Sequence, residues 1–581
     1  MNGLDKEARR WGIEPGYHDV FGTWHTAPPE TLRTLINALS HGRAAPRPPE
    51  DAPAVAPLRA WQGDGRRHWL LAVQLYSLRS ERNWGIGDFS DLKALIAIAA
   101  SHGAAGVGLN PLHALFPDRP EQASPYAPNS RLFLNPLYID VAAIPEFDGV
   151  GAADAAALRD GDLVDYTAVA QAKMAALHRV YDRFRTRAGP ARRADFAAFR
   201  AAQGEALLRF ACFEVLRQRH DTPWPEWPAP WRSPSCGDLA RFRNDNLAAC
   251  EFQEFMQWTA DRQLGECHAS AKAQGMAVGL YVDVAVGIDP HGADAWGQQG
   301  AVLTGISVGA PPDEFNPAGQ DWGLAPFNPD TVADDDFAPM RQLLAAAMCH
   351  AGAIRLDHVL GLKRVFMVPH GVRPVDGAYV RFPFEPLLQV VAEESVRFRC
   401  SVIGEDLGTV PEGFRDTMAK WGLWTYRVML FEREGDGRFR PPESYPAEAL
   451  ATFNTHDLPS FRGWREGHDL RLKRGLSLDP GESDEARQWG RAKLHEALAA
   501  RGQGYAADDL AAVASFLGAT PSRLVAVAID DIVGALEQIN IPGTMHEHPN
   551  WRRKLPLTLE DLRAHAGLAR VGEAFAGTGR R

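Results

Sequence analysis

A chain of 581 residues has room for two or three ordinary domains, or for one barrel carrying large insertions. Its 45% apolar and 23% charged residues are those of a globular protein, and a net charge of −11 without a basic stripe argues against nucleic acid and anionic membrane as partners. No run of about 18 apolar residues offers a membrane span, and the charged stretch Met1 to Arg10 has no apolar core of a secretory signal, so a cytoplasmic protein is expected.

Neutral sugars tolerate such a charge, and 16 tryptophans supply flat faces on which sugar rings stack, although most of them belong to the core. The six cysteines (Cys212, Cys236, Cys250, Cys267, Cys349 and Cys400) form no CxxC pair, which fits reduced thiols. The adjacent pairs Cys267-His268 and Cys349-His350 lack the spacing of a zinc site. Neither a metal nor a cofactor is expected.

In chain order, residues 1 to about 40 read as short helices, the clearest opening at Pro28-Pro29 and running through Leu32, Leu35, Ile36 and Leu39. The Pro/Ala-rich stretch from His41 to Pro57 reads as a linker, which makes 1–57 an N-terminal extension. A first buried strand is expected over Trp69 to Leu75, then a helix from Phe89 to Ser101 and a second strand from Ala105 to Leu109. Turn-rich Ser124 to Ser130 is a loop. Long Ala/Leu/Arg helices, Val169 to Arg187 and Ala194 to Arg219 foremost, mark an inserted helical subdomain over about 141–275.

The third strand is Val278 to Val284, and a long loop over 307–329 carries Gln320 and Trp322. The fourth strand leads to Asp357, the fifth to Glu405, the sixth spans Trp424 to Phe431, the seventh Ala451 to Asp457, and the eighth Leu524 to Ala528. Eight apolar strands separated by helices make an α/β fold, a (β/α)8 TIM barrel over 58–555, with 556–581 as a C-terminal tail.

Three of these strands end in chemistry: Ile354-Arg355-Leu356-Asp357-His358, Gly404-Glu405-Asp406 and Asn454-Thr455-His456-Asp457. The carboxylates stand 48 and 52 residues apart, close to one βα unit each, which reads as three successive strands converging at one mouth. Arg355 and Asp357 share a face of an extended strand, so the guanidinium is expected to hold the carboxylate ionised. A pair of carboxylates with a third in support is the equipment of glycoside chemistry.

These motifs, together with Ser124-Pro125-Tyr126, Ala310-Pro311-Pro312-Asp313, Gly319-Gln320-Asp321-Trp322-Gly323 and Asn540-Ile541-Pro542-Gly543, resemble those of the 4-α-glucanotransferases, the amylomaltases of glycoside hydrolase family 77, from about residue 65 to 555. The resemblance implies Asp357 as nucleophile, Glu405 as general acid/base and Asp457 as transition-state stabiliser, in a retaining transfer through a covalent glycosyl-enzyme. It also implies substrate contacts at Tyr126, Asp289, Gln320, Trp322, Arg355, His358, Asp406, His456 and Asn540. The implied substrates are maltodextrins and other α-1,4-glucans, with glucose as an acceptor. An amylase-type hydrolase would use the same triad with water as acceptor. The loop over 307–329, able to exclude water, favours transfer. A non-catalytic glucan-binding module has no use for three convergent carboxylates.

Overall fold

The computed structural model describes residues 3–19, 22–40, 58–313, 316, 318–501, 506 and 509–580. Eight parallel strands close into one barrel: β1 (His68–Val73), β2 (Gly106–Leu109), β3 (Gly279–Val284), β4 (Ala353–Leu356), β5 (Ser401–Gly404), β6 (Trp424–Val428), β7 (Ala449–Thr452) and β8 (Leu524–Ala528). All eight expected strands are present, with ends shifted by up to a few residues. β8 pairs with β1, Leu524 facing His68, and closure leaves no free edge. The strands are buried on both faces because helices cover the outside and side chains fill the inside, hence their apolar sequences.

The expected helix over Phe89–Ser101 stands, held at its start by a capping box in which Asp88 accepts from the Ser90 and Asp91 N–H groups. Tyr166–Arg187, Pro190–Arg217 and Leu247–Ala273 are the long helices between β2 and β3. The last of them packs on Phe89–Ser101 and on β3, so it also serves as the barrel helix ahead of that strand.

Four expectations change. The spacing of 52 residues does not make the third carboxylate's strand the next one to the second's: the expected sixth strand, β6, stands between β5 and β7, and only an 8-residue helix, Phe414–Trp421, separates β5 from β6. The stretch 307–329 is largely not loop: Ile306–Ala310 and Gln320–Leu324 pair antiparallel within a four-stranded sheet completed by Arg364–Pro369 and Ala378–Arg381. The N-terminal segment contains, besides helices Gly3–Arg10 and Pro29–Ser40, a hairpin of Gly16–His18 with Trp24–Thr26. Its buried Trp11, Leu32, Leu35 and Leu39 pack on Val308, Val365, Met367 and Val380 of that sheet. The linker expected over His41 to Pro57 lies outside the described residues.

The fourth change concerns the C-terminal stretch, which docks on the barrel instead of trailing from it. Helix Ala566–Gly577 packs on Leu510–Gly518, and Phe575 stacks on Trp69 of β1 at 5.1 Å. The buried Arg580 guanidinium donates to the carbonyls of His68, Gly518 and Thr520 at 3.1, 2.9 and 2.7 Å.

Candidate active site

The site stands at the C-terminal ends of β3, β4, β5 and β7, where barrel enzymes carry their chemistry. β4 and β5 are in register, Leu356 facing Gly404, so Asp357 and Glu405 are the next facing positions on strands about 4.8 Å apart. Gly404 is needed there: a Cβ would lie 2.8 Å from the Val359 side chain, which packs across the start of the turn.

Arg355 faces Asp283 across β3 and β4. One guanidinium nitrogen donates to both Asp283 oxygens at 2.8 Å, and another lies 2.9 Å from Asp357 Oδ1. The cation therefore opposes protonation of Asp357 without overriding its surroundings: burial pushes that carboxyl up to about 6, helped by Asp283 and Glu405 and resisted by Arg355. Burial likewise raises Glu405, against the pull of Arg355 and of two backbone N–H donors, Leu407 to Oε1 at 2.8 Å and His358 to Oε2 at 3.0 Å.

His358 reaches Glu405 because its backbone is left-handed, φ 47°. For a residue with a Cβ that conformation costs on the order of 1–2 kcal/mol. It turns the N–H onto the carboxylate and sets the imidazole edge-on to Trp322, ring centres 5.3 Å apart. Trp322 Nε1 donates to Gln320 Oε1 at 3.2 Å, so both residues from the antiparallel sheet stand at the mouth.

Asp457 follows β7, its side chain 44% exposed. Asn540 donates to its Oδ1 at 2.6 Å and His456 Nε2 lies 3.3 Å from its Oδ2. Burial works to raise Asp457, but His456 and Asn540 hold it below the ordinary carboxylate range, so it stays ionised. Burial also works to lower His456, and Asp457 outweighs it, raising the imidazole. His456 stacks on Tyr126 with ring centres 4.9 Å apart, and the Tyr126 hydroxyl donates to Asp283 at 2.6 Å. Beneath these groups a cavity of about 100 Å³ runs into the barrel, lined by Gln74, Tyr126, Asp283, Arg355, His456 and Asp530.

Ten of the twelve expected site residues thus come together. Asp289 makes no direct contact with these ten among the described residues, but its N–H donates to the carbonyl of Pro128 in the loop that carries Tyr126, and its carboxylate accepts from the His291 N–H at 2.7 Å. Asp406 points away from the cleft: fully buried, it accepts from Arg415, Thr425 and the Tyr426 N–H and ties β5 to β6. Side chains alternate along a strand, so a Glu405 facing the mouth sends its neighbour outward. Two residues at the site were not anticipated. Asp283 is a lone acid inside the apolar run Leu280 to Val284, a visible signal beside an arginine that needs a counter-charge. Trp551, 5.2 Å from the His456 ring, lies in a stretch with no distinguishing pattern.

A (β/α)8 barrel with three carboxylates, an arginine and aromatic walls at its C-terminal mouth is the framework of a carbohydrate-active enzyme. A family model described as 4-alpha-glucanotransferase matches residues 73–558. A 4-alpha-glucanotransferase of Mycobacterium tuberculosis is 38% identical over 545 residues, 88% of this chain and 75% of that one. One of Haemophilus influenzae is 35% identical over 543 residues, 86% of this chain and 78% of that one. The solved amylomaltase of Corynebacterium glutamicum superposes with a TM-score of 0.87 at 28% identity, covering 98% of this chain and 99% of its own. The chain belongs to the 4-α-glucanotransferase family, glycoside hydrolase family 77.

Proposed function

We propose that the protein moves α-1,4-glucan segments from one maltodextrin to the 4-OH of another, or of glucose, with retention. Asp357 attacks the anomeric carbon as Glu405 gives its proton to the departing oxygen. The same carboxylate then takes the proton of the incoming hydroxyl, and that oxygen displaces Asp357. Asp457, with His456, holds hydroxyls of the distorted ring next to the bond being broken. The observation that carries this reading is the pairing of Asp357 with Glu405 on facing positions of neighbouring strands. That spacing suits the ~5–5.5 Å of a retaining pair, and Arg355 bridges Asp283 to the nucleophile. Trp322 and Gln320 at the mouth favour sugar over water as acceptor.

The test is disproportionation. Maltotriose is expected to yield glucose and a ladder of longer maltodextrins at constant reducing-end concentration, because each transfer breaks one linkage and makes another. A steady rise in reducing ends without a ladder would identify a hydrolase.

The pH profile follows from the two carboxyls. The nucleophile must be ionised, so kcat/KM is expected to fall as the pH drops through about 6, where Asp357 takes up its proton. Glu405, raised by its burial, must be protonated and sets the alkaline limb. Arg355→Met removes the cation that opposes protonation of Asp357, so the surviving activity should show its acid limb at higher pH. An acid limb left in place would detach Arg355 from the nucleophile.

A further inference from the structure

At the opposite end of the barrel, helix Leu247–Ala273 meets the turn that leads into β4. One donor atom each from Asp261 on that helix and from Cys349 and His350 in the turn lie within 4.8 Å of one another. We propose that this cluster is a structural zinc site, separate from the catalytic mouth. The sequence shows only Cys349-His350, an adjacent pair without zinc spacing; the fold brings a carboxylate to it from nearly ninety residues away.

Several features prepare the site. His350 Nε2 lies 2.8 Å from Asp261 Oδ1. Its ring sits over Gly265, where a Cβ would come within 3.0 Å of Cε1, so a residue without a side chain lets the imidazole reach the helix. The three protein donors leave the fourth tetrahedral position to a water molecule. Cys349 is exposed, and its thiol donates to Ala346 O at 3.2 Å, a bond that zinc ligation as thiolate would replace.

The donor set decides the ion. Thiolate, imidazole and carboxylate together suit Zn²⁺, whereas calcium and magnesium take oxygen alone. Tetrahedral zinc with bonds of about 2.0–2.3 Å holds its donors roughly 3.3–3.8 Å apart, within a side-chain rotation of the present arrangement. Binding displaces one proton from the Cys349 thiol and one from the His350 imidazolium. Because binding releases these protons, zinc affinity should rise with pH. The ion would clamp the helix ahead of β3 to the turn ahead of β4, a stabilising role at the face opposite the chemistry.

The full-length chain, free of any metal-binding tag and stripped by chelation, is titrated with Zn²⁺ against a chromophoric chelator and, separately, with Co²⁺. One tightly held zinc per chain is expected, with proton release, a thiolate-to-cobalt charge-transfer band and a higher Tm. Cys349→Ser should abolish the band, and His350→Ala should weaken zinc binding at least about tenfold. Far-UV circular dichroism confirms that each variant is folded, and the cobalt band reports thiolate ligation in the unaltered chain. Transfer on maltotriose, carried by carboxylates, should proceed at the same rate with and without zinc. A chain that takes up no stoichiometric zinc, or one whose binding survives both substitutions, would leave an Asp261–His350 ion pair only and overturn the proposal.

Discussion

Glu405→Ala is expected to lose turnover on maltodextrins almost entirely and yet to accept glycosyl transfer from α-maltosyl fluoride. Protonation of the leaving oxygen matters only when the leaving group is poor, and fluoride departs without help. Asp357 therefore still attacks, and the covalent intermediate stalls because no base remains to activate an acceptor hydroxyl. Azide needs no base. Adding it should restart turnover and release the α-glycosyl azide, the configuration being the outcome of two inversions at the anomeric carbon. Asp357→Ala has no nucleophile and should give no α-azide under the same conditions. The neighbouring strands that carry the two carboxylates make this comparison clean, since either truncation leaves the Arg355–Asp283 pair in place. A Glu405→Ala protein as inert towards fluoride with azide as towards maltotriose would show that Glu405 is not the acid/base.

Asp457→Asn should fold normally and lose about a thousandfold or more in kcat. Its carboxylate is kept ionised by His456 and Asn540, and its hydrogen bonds to substrate are expected to strengthen mostly in the transition state. Apparent substrate affinity should therefore change far less than the rate. The amide keeps the shape and one acceptor oxygen, so the loss measures charge instead of packing. A variant within tenfold of the parent would remove Asp457 from the site.

The barrel was legible because its strands are buried on both sides, and a short apolar run ending in a polar residue is a pattern that composition alone reveals. The Gln320–Leu324 strand was not: one of its faces is open to the mouth, and Gly319 and Gly323, both at positive φ, read as turns. Spacing misled where two strands share a short connection, so 52 residues passed for one βα unit although they hold β6. The triad could be read from local motifs. The Asp283–Arg355 contact spans 72 residues of chain and exists only in the register of β3 with β4. Asp406 illustrates the reverse case, a substrate contact implied by the family motif whose side chain the fold buries against β6. Trp551 comes from a region whose sequence carries no period at all, and only the closed fold brings it to His456.

The docking of the last helix has a consequence for how the chain is made. β1 gains its second neighbour only when β8 is available, and Arg580 ties the start of β1 to the turn between Leu510–Gly518 and β8. During synthesis the N-terminal two-thirds of the polypeptide, the two catalytic strands β4 and β5 included, must leave the ribosome as an unclosed half-barrel with exposed strand edges. The long helices between β2 and β3, which bury their aromatic residues largely against one another, are the segment able to gain structure early. Final assembly waits for the stretch from Ala566 onward, so removing it should show itself first as aggregation during expression, before any effect on the chemistry can be measured.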